Sequence, residues 1–351
     1  MGCLEEWKPV IAMLVVNVVF AVMNTLIKKV IDEGLNQLVL ITVRQLVATL
    51  FIAPVAYFRE RKARPKMTAK IFVYLFFSAV LGASLTQYLF FVGLQYTSAT
   101  FSCAFLNMVP VFTFLIAIPF RLERVNLRSK AGIAKVLGAA VCLAGAMLLT
   151  FYKGIPLGNA SDHAAGAEEH AANILSNAGK GKWMMGTIAL FGGTFSWASW
   201  FLLQSKVGKK YPALYSGTAV IFFLSFLQAA ALTFATQRGV SFLLLRRKLE
   251  ILTVTFAGLV GSGVGFVVMS WCVEKRGPVF TSAFSPLTQI IVAGIDVTIL
   301  REQLHLGSVL GSVLVIAGLY CLLWGKSKDV KNSELKPSEA VDEIHGALPA
   351  V

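Results

Sequence analysis

With 351 residues, 56% hydrophobic and only 14% charged, the chain holds too little charge for an ordinary soluble domain, which carries about 25%. The net charge of +14 does not mark a nucleic-acid binder, because the lysines and arginines stand in short clusters between apolar runs. A mean hydropathy of +0.72, with apolar runs of about 20 residues, predicts an all-α polytopic membrane protein, since helices satisfy every backbone group within lipid.

Ten runs are expected to span. The first, Val10–Ile27, carries Asn17 and Asn24, with Lys28 following on the same face. Polar groups inside spans are costly and tend to face the bundle interior, so Asn24 and Lys28 are candidate substrate contacts. Snorkelling to the membrane surface is the structural alternative for Lys28. The second run, Leu38–Phe58, holds Arg44 with Gln45 beside it; so deep a guanidinium needs an anionic partner, either a protein carboxylate or a substrate. The third, Ile71–Leu94, places Thr86 and Gln87 after Gly82, and the fourth, Ala99–Phe120, carries Asn107 and Pro110. The fifth is Ala131–Phe151. Residues 154–182 then form a polar, Ala/Gly-rich linker with a glycosylation sequon at Asn159.

The sixth run, Met184–Gln204, shows Thr194, Trp197, Trp200 and Gln204 on one broad face. The two tryptophans either pack or offer a stacking surface to a solute. Leu214–Ala235 is the seventh run, and the eighth, Ile251–Cys272, contains Gly258, Gly261, Gly263 and Gly265, which permit close helix approach. The ninth, Val279–Leu300, has Ser282, Ser285, Gln289 and Asp296 on one stripe, with Pro286 among them. Leu306–Trp324 is the tenth, and 326–351 reads as a disordered cytoplasmic tail. Pro110 and Pro286 each remove a backbone donor inside a span, which predicts kinks usable in gating. Asp296 is a candidate proton-coupling carboxylate or a partner for Arg44 or Arg301.

The chain also repeats itself. A shift of 179 residues brings Phe101 onto Phe280, Glu123 onto Glu302, Gly132 onto Gly311 and Gly82 onto Gly261, with 11 identities over the 46 positions from Ser98 to Leu143. An odd number of spans per half makes the halves enter the membrane in opposite senses, so 1–153 and 183–325 are expected as 5+5 inverted repeats. Glu123 and Glu302 then lie on opposite membrane faces, as helix-capping or gating residues. With the N-terminus inside, 20 of the 32 basic residues fall on inner segments and 10 on outer ones, while Arg44 and Lys135 lie within spans. The bias predicts cytoplasmic termini, against the outer loop that holds Arg238, Arg246, Arg247 and Lys248. No paired carboxylates, G-x-S-x-G or Cys/His ligand set lies in a span, so neither an enzyme nor a metal or other cofactor is expected. A phosphate-cradling loop for direct ATP drive is missing too.

Gly93-Leu94-Gln95-Tyr96-Thr97-Ser98-Ala99-Thr100 leading to Asn107-Met108-Val109-Pro110 resembles the plant nodulin-like EamA transporters. So do Gly277-Pro278-Val279-Phe280 running through Ser285-Pro286-Leu287 to Leu300-Arg301-Glu302-Gln303, and the segment Gly318 to Lys326. This is the UMAMIT, or Walls-Are-Thin-related, branch of the drug/metabolite transporter superfamily; the likeness runs from Trp7 to Lys328, with Val43 standing where an aromatic is expected. It implies a carrier for amino acids or auxin-like carboxylates, in the plasma membrane or alternatively the vacuolar membrane. The residues themselves indicate a small-molecule site between the halves, formed by Asn24, Lys28, Arg44, Gln87, Asn107, Trp197, Trp200, Gln204, Ser285 and Gln289. Two other readings stay open: a proton-coupled antiporter or symporter using Asp296, and a non-transporting membrane receptor on the same fold.

Overall fold

The computed structural model describes residues 2–62, 64–97, 105–120, 122, 129–152, 177–236, 247–299, 307, 309–325 and 327–328. Helices occupy every described stretch predicted to span. They are α1 (Gly2–Asp32), α2 (Gln37–Glu60), α3 (Ala69–Ala79 continuing through Val80–Leu85 to Thr86–Tyr96), α4 (Val109–Ala117), α5 (Lys130–Phe151), α6 (Asn177–Lys210), α7 (Leu214–Thr236), α8 (Lys248–Phe256 continuing through Ala257–Val264 to Gly265–Arg276), α9 (Pro278–Ala283 and Ser285–Ile299) and α10 (Val309–Gly325). Among the described residues six helices are long and apolar enough to cross a membrane: Trp7–Ile31, Gln37–Glu60, Ala69–Gly93, Gly181–Lys210, Leu214–Thr236 and Lys248–Arg276. The linker from 153 to 176 lies outside the described residues, and α6 begins within its predicted end, at Asn177.

Local chemistry sets the helix ends. Asn36, Thr68 and Ser129 accept backbone N–H bonds through their side chains at the starts of α2, α3 and α5. Gly277 ends α8 at φ 87°, a left-handed conformation that suits glycine, and Pro278 then opens α9. Both predicted kinks occur, each two residues before the proline. The turns fall at Met108, before Pro110, and at Phe284, before Pro286.

Elements 179 residues apart behave alike. The π-helical segments of α3 and α8 occupy matching positions, Val80–Leu85 and Ala257–Val264. Each half's first helix packs on the other half's third and fourth: α1 meets α8 and α9, and α6 meets α3 and α4. The aligned glycines explain the closeness. A Cβ on Gly82 would stand 2.2 Å from the Trp200 ring of α6, and one on Gly261 would stand 2.3 Å from Met23 Sδ of α1. Helices α2 and α7 pack together, with Thr42 and Thr233 hydroxyls 2.9 Å apart.

Polar contacts join the two halves at both ends of α2. Glu60, at the end of α2, accepts the N–H groups of Tyr215 (3.0 Å) and Ser216 (2.7 Å), a carboxylate on the positive end of α7. At the opposite face Arg247 pairs with Glu33 at 3.3 Å; both are solvated, so the pair adds little stability.

Helices α5 and α10 run antiparallel at backbone contact. A Cβ on Gly318 would lie 2.5 Å from Cys142 N and 2.8 Å from Gly138 O. Backbone atoms cannot move aside as a side-chain tip can. Gly318→Ala is therefore expected to lower stability by about 1–3 kcal/mol, toward the upper end, read as a fall in the thermal midpoint in detergent. An unchanged midpoint would mean that the two helices do not pack this closely.

Candidate functional site

Consecutive residues on a helix point about 100° apart, so neighbours on α2 reach different helices. Arg44 Nε donates to Ser262 Oγ of α8 at 2.7 Å, and Gln45 Nε2 donates to the Ala83 carbonyl of α3 at 3.1 Å. Ala83 and Ser262 are 179 residues apart and sit at matching places in the two π-helical segments. One turn of α2 thus touches the same point of both halves. Arg44 is only 7% exposed, and among the described residues no carboxylate pairs with it.

The π-helical segments matter because wider winding changes which backbone groups are available. The Leu81 carbonyl accepts the Thr86 hydroxyl five residues on, at 2.5 Å, and the Ser196 hydroxyl of α6 at 3.3 Å. Among the described residues, the buried side-chain atoms without a hydrogen bond include Gln45 Oε1, Gln87 Oε1 and Trp200 Nε1. Unpaired groups of this kind cost about 1–3 kcal/mol each, and a polar solute or water can relieve that cost.

Other predicted residues find polar or aromatic partners. Asn107 Nδ2, just before the turn that precedes α4, donates to Gln289 Oε1 of α9. Ser78 of α3 donates to Gln204 Oε1 of α6 at 3.3 Å. Trp197 and Trp200 stack on each other, ring centres 4.8 Å apart and planes 8° from parallel. Phe201, Phe222 and Phe266 complete an aromatic cluster within the buried core. Trp200 exposes none of its surface, whereas Trp197 is half-buried. Ser285 and Gln87 are half-buried too, and Pro110 and Pro286 are buried.

The predicted stripe on α1 divides. Asn17 is buried and accepts the Thr288 hydroxyl of α9, while Asn24 and Lys28 are exposed. Asp296 belongs to α9, but its side chain lies outside the described residues, as do Glu123 and Glu302 entirely. Gln45 was overlooked as a site residue beside Arg44, and Ser262 was hidden in a glycine-rich run; the shift of 179 that aligns it with Ala83 was the available signal.

A family model described as the EamA-like transporter family matches residues 7–151 and 184–324. The chain belongs to the EamA-like transporter family. It is 45% identical to WAT1-related protein At3g30340 of Arabidopsis thaliana, over 97% of this chain and 93% of the relative. A second Arabidopsis thaliana relative, WAT1-related protein At4g01440, is 46% identical over 94% of this chain and 89% of its own length. The chain is thus a plant nodulin-like EamA member of the drug/metabolite transporters and an integral membrane protein, and its kinship points to a transporter rather than an enzyme. A solved structure titled as a crystal structure of a protein shares the fold, with TM-score 0.66 and 13% identity over 89% of this chain and 98% of that one.

Proposed function

We propose that the chain is a carrier or facilitator for small organic solutes bearing a carboxylate, amino acids or auxin-like acids. It works by alternating access between two five-helix halves, 1–153 and 183–325, threaded in opposite senses. The observation that carries this reading is Arg44: a buried guanidinium at the joint of both halves, without a protein carboxylate among the described residues. A desolvated cation of this kind favours an arriving anion strongly. The hydrogen-bonding groups would come from Gln45, Gln87, Asn107, Gln204 and Gln289, and Trp197 would lend an aromatic face once α6 moves from α8. Matching π-helical segments and the crossed packing of α1 and α6 support the inverted arrangement. The termini are placed in the cytoplasm and the chain in the plasma membrane, with the vacuolar membrane as the alternative.

The test is radiolabelled amino-acid and indole-carboxylate flux in oocytes or liposomes. Arg44→Ala and Gln289→Ala are each expected to lower the rate, Arg44→Ala by about tenfold or more, the worth of one lost charge-assisted contact. Wild-type rates in both variants at equal surface amounts would remove these residues from the mechanism.

A further inference from the structure

A groove of about 630 Å³ runs up the outer side of the bundle where α3 meets α6, lined by Lys70, Val73, Tyr74, Phe77, Leu81 and Leu203. Its wall is apolar. On α3 the lining residues recur at three, four and seven, one stripe of a helix, and on α6 Leu203 continues into Lys206 and Lys210 along a single face. Val73 and Phe77 are half exposed, at 50% and 53%, so the wall is open to the hydrocarbon.

The mouth of the groove is cationic. Lys210 Nζ lies 2.8 Å from the Tyr74 hydroxyl and 4.1 Å from its ring centre. Lys70 and Lys206 are near enough to act electrostatically on the same hydroxyl, and Lys206 also rests 4.3 Å from the Phe120 ring. Among the described residues none of the three lysines pairs with a carboxylate. The neighbouring acids are engaged elsewhere. Glu60 caps α7, and Glu274 packs against Gly208, on the opposite side of α6 from Lys206 and Lys210. Aromatic rings hold two of these ammonium groups in place, so they form a fixed cluster instead of freely swinging surface charges.

We propose that this groove binds an anionic phospholipid, with an acyl chain against Val73, Phe77, Leu81 and Leu203 and the headgroup phosphate among Lys70, Lys206 and Lys210. The pairing of an apolar slot with an uncompensated cationic mouth selects an amphiphile over a free phosphate, which would leave the slot unused. Lys70 belongs to the first half and Lys206 and Lys210 to the second, so one lipid braces the joint between them. The slot ends at Leu81, inside the π-helical segment of α3, which connects occupancy to the joint that Gln45 touches. The inference uses the proposed cytoplasmic placement of this face but not the proposed solute.

The full-length protein, stripped of lipid in detergent, is offered equal amounts of phosphatidylserine and phosphatidylcholine in mixed micelles, and the retained lipid is counted by mass spectrometry. Retention of phosphatidylserine should exceed that of phosphatidylcholine by about tenfold or more, since each basic residue near a headgroup adds roughly a fivefold preference. The combined variant Lys70→Gln, Lys206→Gln and Lys210→Gln should lose that preference. Leu203→Trp, which fills the slot and keeps the charges, should lower retention of phosphatidylserine as well. Equal retention of both lipids by the wild type, or an undiminished preference in the triple variant, overturns the proposal. So does full displacement by soluble glycerophosphoserine, which would make the site one for free phosphate. The readout is lipid retention, so an inactive carrier that still selects phosphatidylserine counts against the solute reading alone.

Discussion

Trp200→Ala is expected to be among the most destabilising single truncations in the bundle. The indole is wholly buried and touches Trp197, Phe201 and Phe266 at ring-centre distances of 4.8, 5.1 and 5.1 Å. Removing a buried aromatic of this size costs about 3–5 kcal/mol, because the cavity closes only in part. One term opposes it. Trp200 Nε1 has no hydrogen-bond partner among the described residues, and deleting an unpaired buried donor returns about 1–3 kcal/mol. The packing term is larger, so a net loss of about 2 kcal/mol remains, the middle of the two ranges. The same geometry makes Gly82 conditional on Trp200. Gly82→Ala in the wild type drives a methyl to 2.2 Å from the indole, whereas in the Trp200→Ala background that methyl enters freed space. The two substitutions should therefore couple favourably, by about 1–3 kcal/mol across a double-mutant cycle read from unfolding in detergent. Additive effects would show that α3 and α6 do not meet through this pair.

The helical spans were readable because lipid leaves one economical backbone form and because charge clusters mark its ends. The breaks before Pro110 and Pro286 followed from the missing N–H alone. The close approach at Gly258, Gly261 and Gly265 was equally visible in composition: added Cβ atoms there would meet Val47, Met23 and Phe20 within 2.9 Å. What escaped was anything whose cause lies in another helix. The π-helical winding of Val80–Leu85 and Ala257–Val264 accompanies the seating of Trp200 on Gly82 and Met23 on Gly261, and no periodicity in the local sequence announces it. Glu60 reads as one more charge in a basic loop until α7 presents its first N–H groups to it, 155 residues away. Asn24 and Lys28 share a helical face with Asn17, yet α1 is 31 residues long and is not covered evenly along that face. Arg44 was legible as a demand for a partner; only the fold could supply Ser262, the link to the other half, and set Gln45 beside it on the matching Ala83 of α3.

Arg44→Met is expected to separate stability from transport. Truncating one member of a buried ion pair usually costs about 3–5 kcal/mol, because the abandoned charge stays behind. Arg44 has no such partner among the described residues, so its loss strands only the Ser262 hydroxyl, a neutral group that can bond back to its own helix. Against that stands the relief of a desolvated guanidinium, several kcal/mol even after relaxation, and methionine retains much of the apolar stem. The balance favours a thermal midpoint equal to or above that of the wild type. Flux of a carboxylate solute should nevertheless fall by about tenfold or more, since the cation that draws the carboxylate is gone. Such a pairing of a stable fold with a lost activity is the pattern expected where a residue is kept at some cost to the resting protein. A fall in midpoint together with flux would instead make Arg44 a brace between α2 and α8. A stable variant with wild-type flux would leave the guanidinium without a part in moving the solute.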